Sequence, residues 1–175
     1  ASAASYAISV AVTGLTQVVL NQYGNENQKK KYIPALAQGK AIGAFSLSEP
    51  SSGSDAGSLR TTAKRAGDYY ILNGTKLWVT QGDVAETLIV LARTGEPGPK
   101  GISAFIIEKG MPGFELGKRE KKMGMHSSHT MELLLNQVKV PVDHLVGQEG
   151  DGFKIAMTAL DNGRINMGAT ALGIS

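Results

Sequence analysis

A loop rich in glycine and serine is the segment of this sequence whose residue types are best suited to hold an anion. It follows a short apolar stretch and reads Phe45-Ser-Leu-Ser-Glu-Pro-Ser-Ser-Gly-Ser-Asp-Ala-Gly57. Backbone N–H groups in such a loop can turn toward a pyrophosphate, and the hydroxyls of Ser48 and Ser54 add donors. A solvated surface loop has the same composition, and composition alone favours that interpretation. Neither a phosphate-loop Gly-Lys-Ser/Thr nor a dinucleotide Gly-x-Gly-x-x-Gly motif is present.

A second candidate is the only tryptophan, in the run Lys76-Leu77-Trp78-Val79-Thr80. Residues two apart on a strand face the same side, so the indole and the Thr80 hydroxyl are predicted to be neighbours. A flat ring beside a hydrogen-bond donor suits a planar cofactor. The alternative is a tryptophan in the core of a β-domain.

A third candidate is Arg164, which falls on the apolar stripe of a predicted helix. A charge there is costly unless it is paired, and Asp161 lies one turn earlier. A structural salt bridge and an anionic-substrate site fit this spacing equally well. The predicted stripe consists of Phe153, Met157, Leu160, Arg164, Gly168 and Ala171.

Three helical segments and a β-rich region must position these residues. Apolar spacing predicts a helix over residues 1–21, and Asn25 with Gln28 forms a capping box for a second, interrupted at Pro34 and stopped at Gly39. Helical periodicity resumes after residue 152. Strands are predicted at Gly43 to Ser48, Leu59 to Arg65, Tyr69 to Leu72, Thr75 to Thr80, Thr87 to Ala92, Ile102 to Ile107 and Met131 to Val140.

The fold class that follows is α+β, with an antiparallel sheet pair or an antiparallel β-barrel as the middle domain between helical segments. Gly67-Asp68 and Asn73-Gly74 are predicted tight turns, and strands without intervening helices argue against a βαβ fold. The predicted domains are residues 1–40 (end of a helical domain), 41–145 (β-barrel) and 146–175 (start of a helical bundle). Both ends of the sequence fall inside helical patterns, which predicts that the chain is part of a longer protein.

Composition excludes several classes of protein. Hydrophobic residues make up 42% and the net charge is +3, too small to indicate nucleic-acid binding. No cysteine is present, so disulfides and thiolate sites are excluded. We expect no metal site, because His126-x-x-His129 has no accompanying carboxylate or cysteine. We expect no membrane span, since no apolar run approaches the length of a membrane-spanning helix.

Taken as a set, these segments are more specific than any one of them. In order they are Ser48-Glu49-Pro50-x-x-Gly53-Ser54-Asp55, Asn73-Gly74-x-Lys76-x-Trp78-Val79-Thr80, Gly124-x-x-x-Ser128-x-Thr130, Val138-x-Val140-Pro141, Gly150-x-Gly152-Phe153 and Asp161-x-x-Arg164. The set resembles the acyl-CoA dehydrogenase family in order and spacing. Gln28-Lys29-x-x-Tyr32-Ile33-Pro34 is similar to the family's N-terminal helical domain.

The resemblance implies FAD as cofactor and acyl-CoA as substrate. It assigns cofactor binding to Phe45, Leu47, Ser48, Ser54, Trp78, Val79 and Thr80, and substrate binding to Ser54, Asp161, Asn162, Gly163 and Arg164. It further implies a homotetramer, electron-transfer flavoprotein as acceptor, and a place in fatty acid or branched amino acid catabolism. The expected location is the cytoplasm of a bacterium or the mitochondrial matrix of a eukaryote.

The family's chemistry requires a glutamate that removes the α-proton of the thioester while hydride passes from the β-carbon to FAD. Most members carry this base far along the C-terminal bundle, and a minority carry it immediately before the arginine, where this chain has Gly163. General bases contribute about 10² to 10⁴ in rate, so the chain alone is predicted to be inactive.

Residues 94–103 and 161–166 resemble short or branched-short-chain members such as isobutyryl-CoA dehydrogenase. An acyl-CoA oxidase and a non-enzymatic β-barrel interaction module are the alternatives.

Overall fold

The computed structural model describes residues 2–175, with side chains from Ala4 onward, as three helices around one sheet. The helices are α1 (Ser2–Tyr23), α2 (Glu26–Ala37) and α3 (Gly152–Ile174). The strands are β1 (Gly43–Ser46), β2 (Thr62–Ala66), β3 (Tyr69–Thr80), β4 (Thr87–Arg93), β5 (Ile102–Glu108), β6 (Phe114–Arg119), β7 (Thr130–Pro141) and β8 (Leu145–Val146). The predicted order of helices, β-region and helix is confirmed.

The sheet is open and mixed, so the predicted closed antiparallel barrel is not confirmed. Its order is β6-β7-β3-β2-β4-β5-β8, and β1 pairs with β4 in parallel. A barrel closes only when its first and last strands pair. Within the described residues β6 pairs with β7 and β8 with β5, and nothing joins β6 to β8. Strand β8 has only two residues, too few to close the sheet.

The predicted turn at Asn73-Gly74 is wrong, because β3 runs through it without a break. Gly74 instead lies at a shift of register between β3 and β7. Its φ is +155°, and a Cβ there would lie 2.8 Å from Cα of Thr61. Close approach of a neighbouring segment therefore explains this glycine. The turn at Gly67, with φ +63°, is confirmed between β2 and β3.

The capping box predicted at the start of α2 is present in the structure. Gln28 N–H donates to Oδ1 of Asn25 at 2.9 Å, and Asn25 N–H donates to Oε1 of Gln28 at 3.0 Å, which completes the predicted capping box. The same Gln28 side chain donates to the backbone oxygens of Asp143 and Leu145, so the cap also ties α2 to the segment around β8. Pro34 lies inside the helix and does not interrupt it.

Helix α3 does not bury the predicted stripe. Its buried residues are Gly152, Ile155, Ala156 and Ala159. A Cβ on Gly152 would lie 2.6 to 2.7 Å from the backbone of Ser103 in β5, so the helix starts in direct backbone contact with the sheet. Small residues on this face allow that approach. Of the predicted stripe, Phe153 and Met157 are half-buried against the core, and the later residues are not packed against it.

The segment Ala4–Tyr23 of α1 is long and apolar enough, by length and composition, to cross a membrane. One such helix is weak evidence for a membrane span, so it does not overturn the expectation that the chain has none. Core helices satisfy the same criterion, and part of α1 has core contacts. Val19 and Leu20 are fully buried, and the Thr16 hydroxyl donates to the backbone oxygen of Ala44 in β1 at 3.1 Å.

We predict opposite effects for alanine at two glycines of this fold. Gly74→Ala forces the Cβ against Thr61 at a positive φ and should lower the free energy of unfolding by about 2 kcal/mol or more. Gly168→Ala, on an exposed turn of α3 with open space around it, should raise that free energy by about 0.5–1 kcal/mol. Urea unfolding of both variants measures the two changes. Equal effects would contradict the role assigned to Gly74.

Candidate functional site

The serine-rich loop after β1 lies against the strand that carries Trp78. Leu77 N–H donates to the backbone oxygen of Ser48 at 2.9 Å. This bond joins the first two candidate segments side by side. The structure therefore brings together two regions separated by thirty positions in sequence.

A buried ion pair locks this junction. Nζ of Lys76 lies 2.7 Å from Oε1 of Glu49 and donates to the backbone oxygen of Leu47 at 3.1 Å. The two side chains are 0% and 3% exposed. Glu49 also accepts from the backbone N–H groups of Arg60 at 2.6 Å and Thr61 at 3.0 Å. One carboxylate thus holds both ends of the loop against β3.

The protonation of this pair follows from its burial. Burial lowers the pKa of Lys76 to about 8, although the Glu49 carboxylate opposes the shift. Burial alone would raise the pKa of Glu49, but the charge of Lys76 and the hydrogen bonds that the carboxylate accepts outweigh it and lower that pKa. Both groups are therefore charged near neutral pH.

Trp78 adopts a conformation that bulky residues rarely take. Its φ is +57°, and its side chain is 59% exposed. The ladder to β7 shifts between Lys76 and Val79, so Trp78 lies in a bulge. Strain and exposure of this kind occur at functional sites more often than elsewhere.

Val79 and Thr80, the two residues after Trp78, lie in different environments. Val79 is buried in the core of the sheet, so only its backbone is available for a ligand. Thr80 is half-buried at the end of β3 and lines a cavity of about 530 Å³. Trp78 and Thr80 thus both lie outside the core. That their side chains are neighbours stays a prediction, because the bulge interrupts the simple alternation of the strand.

The cavity beside Thr80 lies between α1 and α3. Its walls are mainly apolar and consist of Ile8, Ala11, Val12, Leu15, Thr80, Leu160, Gly163, Arg164 and Met167. No carboxylate is among these described lining residues. Of the predicted stripe of α3, Leu160 and Arg164 thus line this cavity, whereas Phe153 and Met157 line another and pack against the core.

The third candidate segment lies at the rim of this cavity. Arg164 is 68% exposed and pairs with Asp161, as the spacing predicts. The charge of Arg164 is therefore not desolvated, because that face of α3 is open. Asn162 is occupied with its own helix and donates to the backbone oxygen of Thr158 at 2.9 Å. Gly163 faces Leu15 across the cavity.

Ser54 belongs to a separate cavity of about 670 Å³. Arg60, Arg93, Phe153 and Met157 also line it. Arg93 donates to the backbone oxygens of Gly57, Leu59, Glu96 and Gly98. This one guanidinium therefore shapes the loop wall of the cavity.

Phe45 and Leu47 are half-buried and pack against the apolar cluster beneath α1 and α2. Each contributes to the core and leaves part of its surface accessible. They lie on either side of Ser46, whose fully buried hydroxyl has no partner among the described residues.

These features fit a planar group that carries phosphates. The exposed indole offers a flat apolar surface, and Thr80 offers a hydroxyl beside it. In the loop, Gly53 and Ser54 are exposed, and no hydrogen bond of the described residues engages their backbone N–H groups. A Cβ at Gly53 would meet nothing within 4 Å, so the loop is open to a ligand at this position.

Sequence reasoning missed two residues that organise the site, Lys76 and Arg93. A signal existed for Lys76, since it alternates with Trp78 and Thr80 along a predicted strand and would share their face, where it could be covered. A lysine there needs a buried acid as partner. Arg93 carries no comparable signal, because its acceptors are backbone oxygens.

Comparison with known proteins agrees with this arrangement. Residues 44–138 match the family described as "Acyl-CoA dehydrogenase, middle domain". The chain is 49% identical over 166 residues to "Acyl-CoA dehydrogenase, short-chain specific" of Clostridium acetobutylicum, covering 94% of this chain and 44% of that protein. It is 46% identical over 165 residues to "Isobutyryl-CoA dehydrogenase, mitochondrial" of Dictyostelium discoideum, covering 94% and 40%.

The solved structure of butyryl-CoA dehydrogenase from Megasphaera elsdenii superposes with a TM-score of 0.95 at 48% identity. The match covers 98% of this chain and 45% of that one. The chain belongs to the acyl-CoA dehydrogenase family. It spans less than half the length of these relatives, and relatives with short-chain and isobutyryl names are both among them.

The buried ion pair leads to a stability prediction. Lys76→Met leaves the Glu49 carboxylate buried without its charged partner and should lower the free energy of unfolding by about 3–5 kcal/mol. Lys29→Met removes an exposed pair with Glu26 and should cost under about 1 kcal/mol. Denaturant unfolding of the two variants gives the comparison. Similar losses in both would show that burial of the pair is unimportant.

The same pair predicts sensitivity to acid. The pKa of Glu49 is lower in the folded chain than its ordinary value of 4.5, so the unfolded chain binds more protons in acid. This contribution to stability is complete above about pH 4.5 and is lost as the pH falls further. In Glu49→Gln the free energy of unfolding should fall less steeply between about pH 5 and pH 3 than in the unaltered chain. A parallel fall in both proteins would refute the assignment.

Proposed function

We propose that this chain forms the cofactor-binding and thioester-binding core of an enzyme that oxidises acyl-CoA to 2,3-enoyl-CoA with FAD. We further propose short or branched-short acyl chains as substrates. Membership of the acyl-CoA dehydrogenase family and the names of its relatives support both statements. FAD, when bound, supplies the acceptor for the hydride that leaves the β-carbon.

The single observation that carries the proposal is the placement of Trp78. A solvent-exposed indole is held at a positive φ two residues before Thr80. Thr80 lines an apolar cavity between two helices, and Trp78 is not among the described residues that line it. A tryptophan that served only the core would be buried. A tryptophan without any role on the surface would not require a backbone held at a positive φ. The arrangement suits a flat ring that stacks on the indole and receives a hydrogen bond from Thr80.

The remaining residues have roles that follow from their positions. Ser48 and the open N–H groups of Gly53 and Ser54 would bind polar and phosphate groups of the cofactor, with Phe45 and Leu47 beside them. Val79 would contribute through its backbone alone, since its side chain is buried. Ser54, in the other cavity, is also placed to meet the phosphates of the thioester.

The acyl group would lie in the cavity beside Thr80, where apolar side chains exclude water from the reacting carbons. Asp161 and Arg164 at the rim would orient the CoA portion, with Asn162 and Gly163 between them. We place the proton-abstracting glutamate outside residues 1–175. The absence of a carboxylate from the described lining of this cavity, and glycine at position 163, support that placement.

Assembly, acceptor and location are proposed by family resemblance. A homotetramer would complete cavities that the present chain leaves open, and electron-transfer flavoprotein would accept the electrons. The location would be bacterial cytoplasm or mitochondrial matrix. Measurement of hydrogen peroxide in air distinguishes the acyl-CoA oxidase alternative.

The test uses the intact protein and its visible spectrum. We expect bound flavin, with bleaching of its visible absorbance when butyryl-CoA or isobutyryl-CoA is added without oxygen. Trp78→Ala should weaken FAD binding by about tenfold, because it removes the aromatic surface on which the flavin ring would stack. Thr80→Ala should slow the bleaching.

The matched control is Tyr69→Ala, which removes an exposed aromatic ring at the far end of the same strand. FAD affinity should not change in this variant. A colourless intact protein that fails to bind added FAD would refute the proposal and support the non-enzymatic interaction module.

A further inference from the structure

The turn that follows β3 is held by an unusual set of contacts. It comprises residues 81–85 and starts directly after Thr80. Gln81 has a φ of +60°, and its carbonyl oxygen accepts from the N–H groups of Val84 at 3.1 Å and Ala85 at 2.9 Å. The direction in which β3 ends, and hence the placement of the Thr80 hydroxyl, depends on this turn.

His129 contacts the turn at two points. Its backbone oxygen accepts from Gln81 N–H at 2.9 Å, and its Nδ1 lies 2.5 Å from Oδ2 of Asp83. A carboxylate only accepts hydrogen bonds, so Nδ1 is the donor. Thr130, the next residue, pairs with Thr80 across the sheet. One residue thus binds both the start and the middle of the turn.

The carboxylate of Asp83 depends on His129 for a side-chain hydrogen bond. The two side chains are only 19% and 29% exposed, and the second carboxylate oxygen, Oδ1, is buried without a partner among the described residues. Lys109 donates to the backbone oxygen of Asp83 at 3.0 Å, not to its carboxylate. Removal of the imidazole would leave a mostly buried carboxylate with no side-chain donor, and the turn would rearrange to solvate it.

We propose that His129 is a positioning residue, whose bond to Asp83 holds the turn so that Thr80 presents its hydroxyl to the flavin. The inference rests on the proposed function, since it requires a flavin beside Thr80. His129 itself does not line the cavity that contains Thr80. It acts through the backbone of the turn.

The experiment measures FAD affinity in the flavin-free form of the intact protein by fluorescence titration. His129→Ala and Asp83→Ala should each bind FAD about tenfold more weakly, as expected for loss of a hydrogen bond to a charged group. His129→Asn places an amide N–H near the position of Nδ1 and should bind within about twofold of the unaltered protein. His129→Gln, whose amide lies nearer the position of Nε2, should not be rescued.

The matched control is His126→Ala, three residues earlier on an exposed part of the same loop. FAD affinity and the position of the bound-flavin absorbance maxima should be unchanged in this variant. In His129→Ala the maxima should shift, and in His129→Asn they should not. A merely structural histidine would lower stability without this pattern of rescue.

The outcomes separate the two proposals. Failure of the unaltered protein to bind FAD refutes the proposed function. Binding of FAD by the unaltered protein with equal affinity in His129→Ala and Asp83→Ala refutes only the positioning role. If the alanine variants do not fold, the comparison of His129→Asn with His129→Gln decides, and equal affinities overturn the inference.

Discussion

The ion pair between Glu49 and Lys76 is the interaction on which the site depends. Without it, the loop that follows β1 and the strand that carries the tryptophan would be joined mainly by a single backbone hydrogen bond from Leu77 to Ser48. Two charges out of water are costly unless every polar atom is satisfied. Glu49 meets that condition through Lys76 and two backbone N–H groups, so the loop has one conformation compatible with its burial.

Helices α1 and α3 form the cavity beside Thr80, and the small residues of α3 determine where that helix packs. Gly152 lets α3 start against the backbone of β5, and Ala156 and Ala159 continue that contact. The larger side chains Leu160 and Met167 then face α1 across a gap instead of filling the core. An apolar cavity between helices is therefore a direct result of where the small residues lie in α3. The open edges of the sheet leave room for further protein around it.

The sequence predicted the elements well because their signals are local. The capping box at Asn25 and the glycine turn at position 67 involve neighbours in sequence, and both are present. Asn73-Gly74 was misread, because Thr61 approaches that glycine from a separate segment. The burial of α3 was misread as well, since both faces of the helix carry apolar residues and periodicity does not distinguish core from cavity. Barrel closure depends on pairing between distant strands, which alternation of residue types does not encode.

The site was predicted in part. Ser48, Trp78 and Thr80 were associated through a family pattern, and the Leu77–Ser48 bond shows how the first two come together. Asp161 pairs with Arg164 as their spacing indicated. The partners of Lys76 and His129 are far away in sequence, as are two of the four acceptors of Arg93, and no motif names them. Contacts of this kind can be identified only from the three-dimensional structure.

The left-handed backbone at Trp78 has a consequence for the evolution of the chain. A bulky residue in this region costs on the order of 1–3 kcal/mol, so glycine or asparagine at position 78 would relax the strand and make the fold more robust. Selection for stability alone would therefore favour replacement of Trp78. Its persistence at such a position would mark a compromise in which the chain stays less stable than it could be so that the ring is already oriented before any ligand arrives.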